Sequence, residues 1–440
     1  MMKKDGETYP WYVVGVLTLA YLISFLDRQI LALMVGPIKA DLDLTDTQIS
    51  LLMGVAFSVF YIIVGIPLGR LADRKNRRNI IALGITFWSI MTAACGLAFK
   101  FSHLFLARIG VGVGEASLTP SAVSMISDYF SRKDRGRAIA TYNMGVSLGT
   151  GFAMVLGGAI VTYVAKAPPV DLPIIGILKG WQYVFFLVAL PGLFVAVLMM
   201  LTVREPPRTE RLELAVTDLS FGDVMKYLWR RKTVYLPLFL GLSVATIIGY
   251  AYFSWIPSLF VRIFHWTIPQ VGTIFGVIIL IAGPAGVMTG GWVIDTLYQR
   301  GHFNAPIIVS LAASALCLPT TLLLPMMPTA EWAFVMIFPT MFGGAMATAA
   351  GAIAVVMVTP NQMRGQTMAL YLFCISLLGL SIGPTAVALL TDYVFYDEQM
   401  LHWSIAIVCS LSAAFSCLLL TSCLKPYYAA VREIENVAGE

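Results

Sequence analysis

The sequence predicts an all-α membrane protein of about twelve transmembrane helices in two pseudo-symmetric six-helix bundles. Three observations predict it. Of 440 residues, 58% are apolar and only 12% charged, with a mean hydropathy of +0.82, whereas a soluble domain carries about 25% charged residues to cover its surface. At about 20 residues per span, the roughly 255 apolar residues furnish about ten to thirteen helices and leave little chain for a water-soluble domain. Finally, sequence motifs of the first half return in the second.

Taken in order, the apolar stretches place spans near 11–38, 47–69, 79–99, 104–130, 138–164, 181–203, 233–261, 269–294, 304–327, 331–358, 366–391 and 401–424. Residues 1–10 hold two lysines but no short apolar stretch with a small-residue cleavage site, because Tyr12 runs straight into a full-length span; no cleaved signal peptide is expected. The connections are short except for one, which holds Pro206, Pro207 and mixed charges ahead of an expected surface helix at Phe221–Leu228. This divides the chain into an N-terminal bundle (1–204), a cytoplasmic linker with a short surface helix (205–232) and a C-terminal bundle (233–440).

Lys and Arg retained on the cytoplasmic side orient the spans. Placing the N-terminus, the 70–78 and 132–137 loops, the linker, Arg300, Arg364 and the C-terminal tail on one side collects 22 of the 29 basic residues there, so both termini are expected in the cytoplasm. Short loops and the lack of any Asn-x-Ser/Thr site point to a bacterial inner membrane.

The internal repeat is specific. Arg135-Gly136 with Ala140 and Tyr142 recurs as Arg364-Gly365 with Ala369 and Tyr371, and Gly69-x-x-x-Asp73 recurs as Gly291-x-x-x-Asp295. A repeated six-span bundle puts a substrate site between the halves near the midplane, exposed alternately as the halves rock.

The run Gly69-Arg70-Leu71-Ala72-Asp73-Arg74-Lys75-Asn76-Arg77-Arg78 resembles the cytoplasmic loop signature of the major facilitator superfamily, departing from it at Asn76, where the family has glycine. The likeness in span count, linker and repeat covers the whole chain. The fifth span, with Gly145-x-x-x-Gly149 and Gly157-Gly158, is similar to the superfamily's exporter motif but lacks its proline. Within the superfamily, Arg108-Ile109-Gly110-Val111-Gly112-Val113-Gly114-Glu115-Ala116-Ser117, ending at Asp128-Tyr129-Phe130, resembles the spinster-like subgroup; Asp27-Arg28, Trp88, Gly149 and Gly151 fit it too. That resemblance implies a lipid carrier, since the subgroup's animal members move lysophospholipids and sphingosine phosphate.

Two basic residues, Arg28 and Arg108, fall inside predicted spans, and Asp27 and Glu115 are the only acids near span centres. A charge at the bilayer centre costs roughly 2.5–3.5 kcal/mol on insertion scales, so such residues face a cavity, pair with one another or mark an ion path. The alternative to a functional role is a structural ion pair joining spans one and four. Arg108 and Glu115 share a helix face but lie about 10 Å apart along it, which makes Asp27 the expected partner of Arg108. Glu115 in an apolar wall is suited to carrying a proton, and Asp27 and Glu115 are the candidates for proton coupling. The corresponding stretches of the second half read Gly249-Tyr250 and Gly343-Gly344, so the acids are not demanded by the bundle itself. Arg28 or Arg108 is the candidate for an anionic head group, because guanidinium pairs well with phosphate or carboxylate.

Tyr250, Tyr252, Trp255, Met341, Met346 and Tyr371 offer an aromatic and sulfur-rich cavity wall, or else ordinary packing. A cytoplasmic gate is expected from Gly69, Asp73, Arg74, Asp128, Arg135 and Gly365: Asp73 would accept hydrogen bonds from the start of span eleven near Gly365, and Arg74 would pair with Asp128. The alternative is that the basic loop fixes topology and touches anionic lipid.

Gly110, Gly112 and Gly114 follow no strand, so they are read as close helix packing rather than a phosphate loop, and no Gly-x-x-x-x-Gly-Lys-Ser/Thr motif points to ATP. The six cysteines lie in apolar segments and the four histidines near segment ends, so no disulfide, metal site or cofactor is expected. An intramembrane enzyme would need a nucleophile beside a base, and none is offered; no nucleic-acid partner is expected. The expected function is a proton-coupled secondary transporter of an amphipathic anionic lipid, acting as a monomer among membrane lipids; small organic anions such as sugar acids, or drugs for export, are the alternatives.

Overall fold

The computed structural model describes residues 5–168, 171–172, 176–208 and 221–439. Residues 209–220 of the predicted linker lie outside the described residues. Among those described, eleven helices are long and apolar enough to cross a membrane. Large apolar side chains such as Leu106, Phe194, Leu201 and Leu418 are outwardly exposed, a surface that only lipid solvates favourably.

Helix α1 (Asp5–Leu33) ends where Met34 interrupts the helix before α2 (Val35–Leu42). The second predicted span is α3 (Asp46–Met53) followed by α4 (Val55–Arg74), bent at Gly54. A reciprocal box starts α3: Thr45 accepts from the Gln48 backbone N–H, and the Gln48 side chain accepts from that of Thr45. Asn76 caps α5 (Arg77–Cys95) by accepting from Asn79 N–H.

The predicted fourth span is divided into α6 (Phe101–Glu115) and α7 (Leu118–Tyr129). The cause is Pro120, which has no N–H for the Ala116 carbonyl one turn earlier and crowds it. The Ser117 N–H instead reaches back three residues to Gly114 O at 3.2 Å. Helix α8 (Arg132–Lys166) follows, then a two-residue antiparallel ladder, β1 (Asp171–Leu172) with β2 (Gly176–Ile177), then α9 (Gly180–Thr202).

After the linker come α10 (Phe221–Arg230), α11 (Lys232–Ile263), α12 (Ile268–Gln299), α13 (Ala305–Leu323) and α14 (Ala330–Val358). The eleventh span begins as α15 (Arg364–Ile375), widens into π-helical turns at Ser376–Ile382, resumes as α16 (Gly383–Leu390) and widens again at Thr391–Phe395. The last helix is α17 (Leu401–Gly439).

The helices gather into two compact units, one of Met1–Glu213 with His265–Leu280, the other of Leu214–Phe264 with Ile281–Glu440. In the first unit, glycines let helices approach closely. A Cβ on Gly112 would lie 2.5 Å from the Phe57 carbonyl oxygen, and one on Gly114 would lie 2.7 Å from the Trp88 Cβ. Gly145, Gly149 and Gly157 of α8 rest on α1, while Gly151 and Gly158 meet the first half of α12. In the second unit, helices are joined by hydroxyl pairs: Ser314 with Ser416 (3.0 Å), Thr320 with Thr340 (2.8 Å) and Thr321 with Ser410 (2.9 Å). Such pairs satisfy groups that hydrocarbon cannot.

Candidate functional site

The four intramembrane charges lie together in the first unit. Asp27 and Arg28 sit on α1, Arg108 and Glu115 on α6, and Asp27, Arg108 and Glu115 are all buried. Arg28 Nε donates to Glu115 Oε2 at 2.7 Å, and Ser24, one turn earlier on α1, donates to the same oxygen at 2.6 Å. The Glu115 side chain is fully buried while Arg28 keeps 17% of its own exposed. The guanidinium lies against three rings, Phe25, Phe57 and Tyr61, at 4.9, 4.5 and 5.2 Å from their centroids, an arrangement that favours a cation.

Arg108 is held differently from the expectation. Its Nη1 donates to the main-chain carbonyl of Asp27 at 3.2 Å and its Nε to that of Leu52 at 3.3 Å. The Leu52 carbonyl lies in the last turn of α3, beside the bend at Gly54, where a helix leaves carbonyls without an internal donor. Neither carboxyl oxygen of Asp27 has a hydrogen-bond partner among the described residues, although Thr92 and Trp88 face it; Glu115 Oε1 is equally unpartnered. The site therefore contains one closed ion pair, one arginine bound to main chain and one carboxyl group without a bond.

At the end of the first unit where α4 meets α5, the expected pairing also changes. Asp128 binds Arg77, not Arg74. Asn76 caps α5, which makes Arg77 its first residue and turns that side chain inward, whereas Arg74 is exposed at the end of α4. Arg77 is buried and also donates from Nε to Glu205 at 2.7 Å and from Nη2 to Pro206 O at 3.2 Å. Arg208 donates to the carbonyls of Ala72, Asp73 and Lys75, closing the C-terminus of α4. Asp73 is exposed and Gly69 lies 3.9 Å from Pro120, measured from an added Cβ. Arg135 donates to Ser127 O at 2.8 Å. Gly365 stands in the first turn of α15, in the second unit, with open space around it.

The predicted wall is mainly interior to the second unit. Tyr252, Trp255, Met341, Met346 and Tyr371 are buried, and Trp255 Nε1 donates to Pro384 O at 2.9 Å. Tyr371 packs against Phe239 at 5.8 Å between ring centroids. Tyr250 alone of the six is half-exposed, and it packs on Gly379 in the π-helical part of the eleventh span.

Sequence reasoning missed Ser24, the Phe25, Phe57 and Tyr61 rings, Glu205 and Arg208. Ser24 had one available signal, its place one turn before Arg28. The rings had none, because aromatic residues are frequent in every span.

Comparison with known proteins now decides the family. The signature of the Major Facilitator Superfamily matches residues 17–384. The chain belongs to this superfamily. A protein of Escherichia coli (strain K12) named "Probable L-galactonate transporter" is 29% identical over 342 residues, covering 74% of this chain and 71% of its own. An "MFS-type efflux pump" of Mycolicibacterium smegmatis is 27% identical over 404 residues, covering 90% and 87%. Among solved structures, a bacterial homologue of the human lysosomal transporter Spinster, inward-facing and unoccupied, superposes with a TM-score of 0.78 at 25% identity over 96% of this chain and 97% of its own. The major facilitator chain is thus a multi-pass membrane transporter of a small molecule, with spinster-like and sugar-acid-transporter relatives.

Proposed function

We propose that this transporter is proton-coupled, works by alternating access and carries an amphipathic anionic lipid of the lysophospholipid or sphingosine phosphate type. The observation that carries the coupling is the buried Arg28–Glu115 pair. A protonated Glu115 no longer holds Arg28 as a charge partner, which frees the guanidinium for an anionic head group. An anion that captures Arg28 in turn leaves Glu115 buried without its counter-charge, so the acid takes up a proton. Anion and proton binding therefore favour each other by linkage. Asp27, whose carboxyl oxygens have no hydrogen-bond partner among the described residues, serves as the second proton site. The spinster-like resemblance supports the lipid, and the rings around Arg28 supply apolar surface beside the charge.

A second reading, proton symport of small sugar acids, is favoured by the Escherichia coli relative. Both readings use Arg28 for the anion. Both are consistent with a monomer in a bacterial inner membrane with its termini in the cytoplasm.

The deciding experiment measures proton movement into vesicles containing the purified protein on addition of lysophospholipid, sphingosine phosphate or L-galactonate, for wild type, Asp27→Asn and Glu115→Gln. Flux driven by the lipids and abolished by either substitution supports the first reading. Flux with L-galactonate alone transfers the proposal to sugar acids, and flux unchanged in both variants overturns the coupling.

A further inference from the structure

Helix α10 carries two apolar surfaces, of which the protein covers one. Val224 and Leu228 are buried in a cluster with Tyr235, Val358 and Tyr427, which docks the helix onto the end of the second unit. Phe221, Met225 and Trp229, spaced four apart, form a second stripe beside the docked face and remain 61%, 38% and 69% exposed. At 100° per residue the next arc holds Lys226 and Arg230 together with one acid, Asp223, all three exposed, and the Lys232 amine lies over the Trp229 ring at 5.4 Å. The order around the helix is thus protein-docked, bare apolar, then basic. An element lying flat at a membrane surface needs this order: the apolar stripe enters among the acyl chains while long basic side chains extend to phosphates. Arg231, by contrast, is engaged by Glu433 at 2.7 Å.

We infer that α10 is an interfacial anchor, seating Phe221, Met225 and Trp229 in the membrane leaflet on the linker side and binding anionic phospholipid head groups through Lys226, Arg230 and Lys232. Charge complementarity selects an anionic leaflet as the occupant. A neutral leaflet would satisfy the stripe but leave unmatched the net positive charge of an arc in which Lys226, Arg230 and Lys232 outnumber Asp223, and each basic side chain near an anionic surface favours association by about fivefold. The anchor is independent of what the transporter carries.

The test uses the full-length protein in vesicles and the fluorescence of Trp229, taken as the difference between wild type and Trp229→Phe. Phospholipids brominated near the head-group end of the acyl chain are expected to quench this component, more strongly in vesicles containing phosphatidylglycerol than in pure phosphatidylcholine. Lys226→Glu/Arg230→Glu/Lys232→Glu, all exterior changes, is expected to reduce quenching in the anionic vesicles to the neutral level. A Trp229 component quenched by aqueous acrylamide but by neither brominated lipid overturns the anchor. Equal quenching in both lipids, unchanged by the charge reversals, overturns the anionic specificity.

Discussion

Arg28 and Glu115 meet through a single carboxylate oxygen: Oε2 accepts both the Arg28 Nε donor and the Ser24 hydroxyl, and Oε1 accepts from none of the described residues. The pair is thus bonded through one carboxylate oxygen only, with the Glu115 side chain fully buried and Arg28 keeping 17% of its own exposed.

Glu115→Gln is expected to abolish substrate-driven proton flux in reconstituted vesicles. It also leaves the Arg28 charge largely buried without its partner, and breaking a buried pair costs about 3–5 kcal/mol. The thermal midpoint in detergent should therefore fall clearly. Removing both charges with Arg28→Met/Glu115→Gln should recover much of that loss without restoring flux; a double variant as unstable as the single one would contradict the pairing.

Asp27→Asn should separate coupling from stability. Among the described residues neither carboxyl oxygen has a hydrogen-bond partner, and an amide keeps the shape that Thr92 and Trp88 face, so the thermal midpoint should stay close to wild type. Exchange of labelled for unlabelled substrate should persist, while accumulation driven by a pH gradient should fall at least about tenfold, a 1.4 kcal/mol effect. Loss of exchange together with accumulation would assign Asp27 to substrate binding instead.

Glycine positions give a contrast within the same helical class. Gly112→Ala pushes a methyl group against the Phe57 carbonyl and is expected to cost about 1–3 kcal/mol, because main chain cannot step aside. Gly36→Ala in α2 meets nothing within 4 Å and should be neutral or stabilising by about 0.4–1 kcal/mol. Thermal midpoints of the two variants check this directly.

Arg77 and Glu205 should be energetically coupled. A double-mutant cycle with Arg77→Ala and Glu205→Ala is expected to return an interaction of about 0.5–3 kcal/mol, whereas the same cycle with Arg74 should return close to zero. Arg77→Lys should not rescue, since a point charge cannot reach Asp128, Glu205 and Pro206 O together.

The spans, the family and the cluster of four charges were legible because each rests on composition or local spacing. Partner choice was not. Asp27 was the evident acid for Arg108 by proximity, but the bend at Gly54 exposes the Leu52 carbonyl, and a helix break within an apolar run leaves no mark in hydropathy. Arg74 and Arg77 stand in one basic run, and only the Asn76 cap, a matter of backbone geometry, selects which points inward. Glu205 and Arg208 follow the sixth span in a stretch that reads as plain linker. Pro120 was visible in the sequence, yet a proline inside a span does not reveal whether the helix bends or stops.

The glycines of α8 carry a mechanical consequence. On one side the helix offers Gly145, Gly149 and Gly157 to α1, and on another Gly151 and Gly158 to the first half of α12. Side chains that interlock act like gear teeth, and to move past them a helix must disengage each tooth. On α8 the teeth belong to the neighbours: Tyr21, Phe25 and Leu33 of α1 and Leu280 of α12 seat in the notches that its glycines leave, which holds the helix at main-chain distance from both.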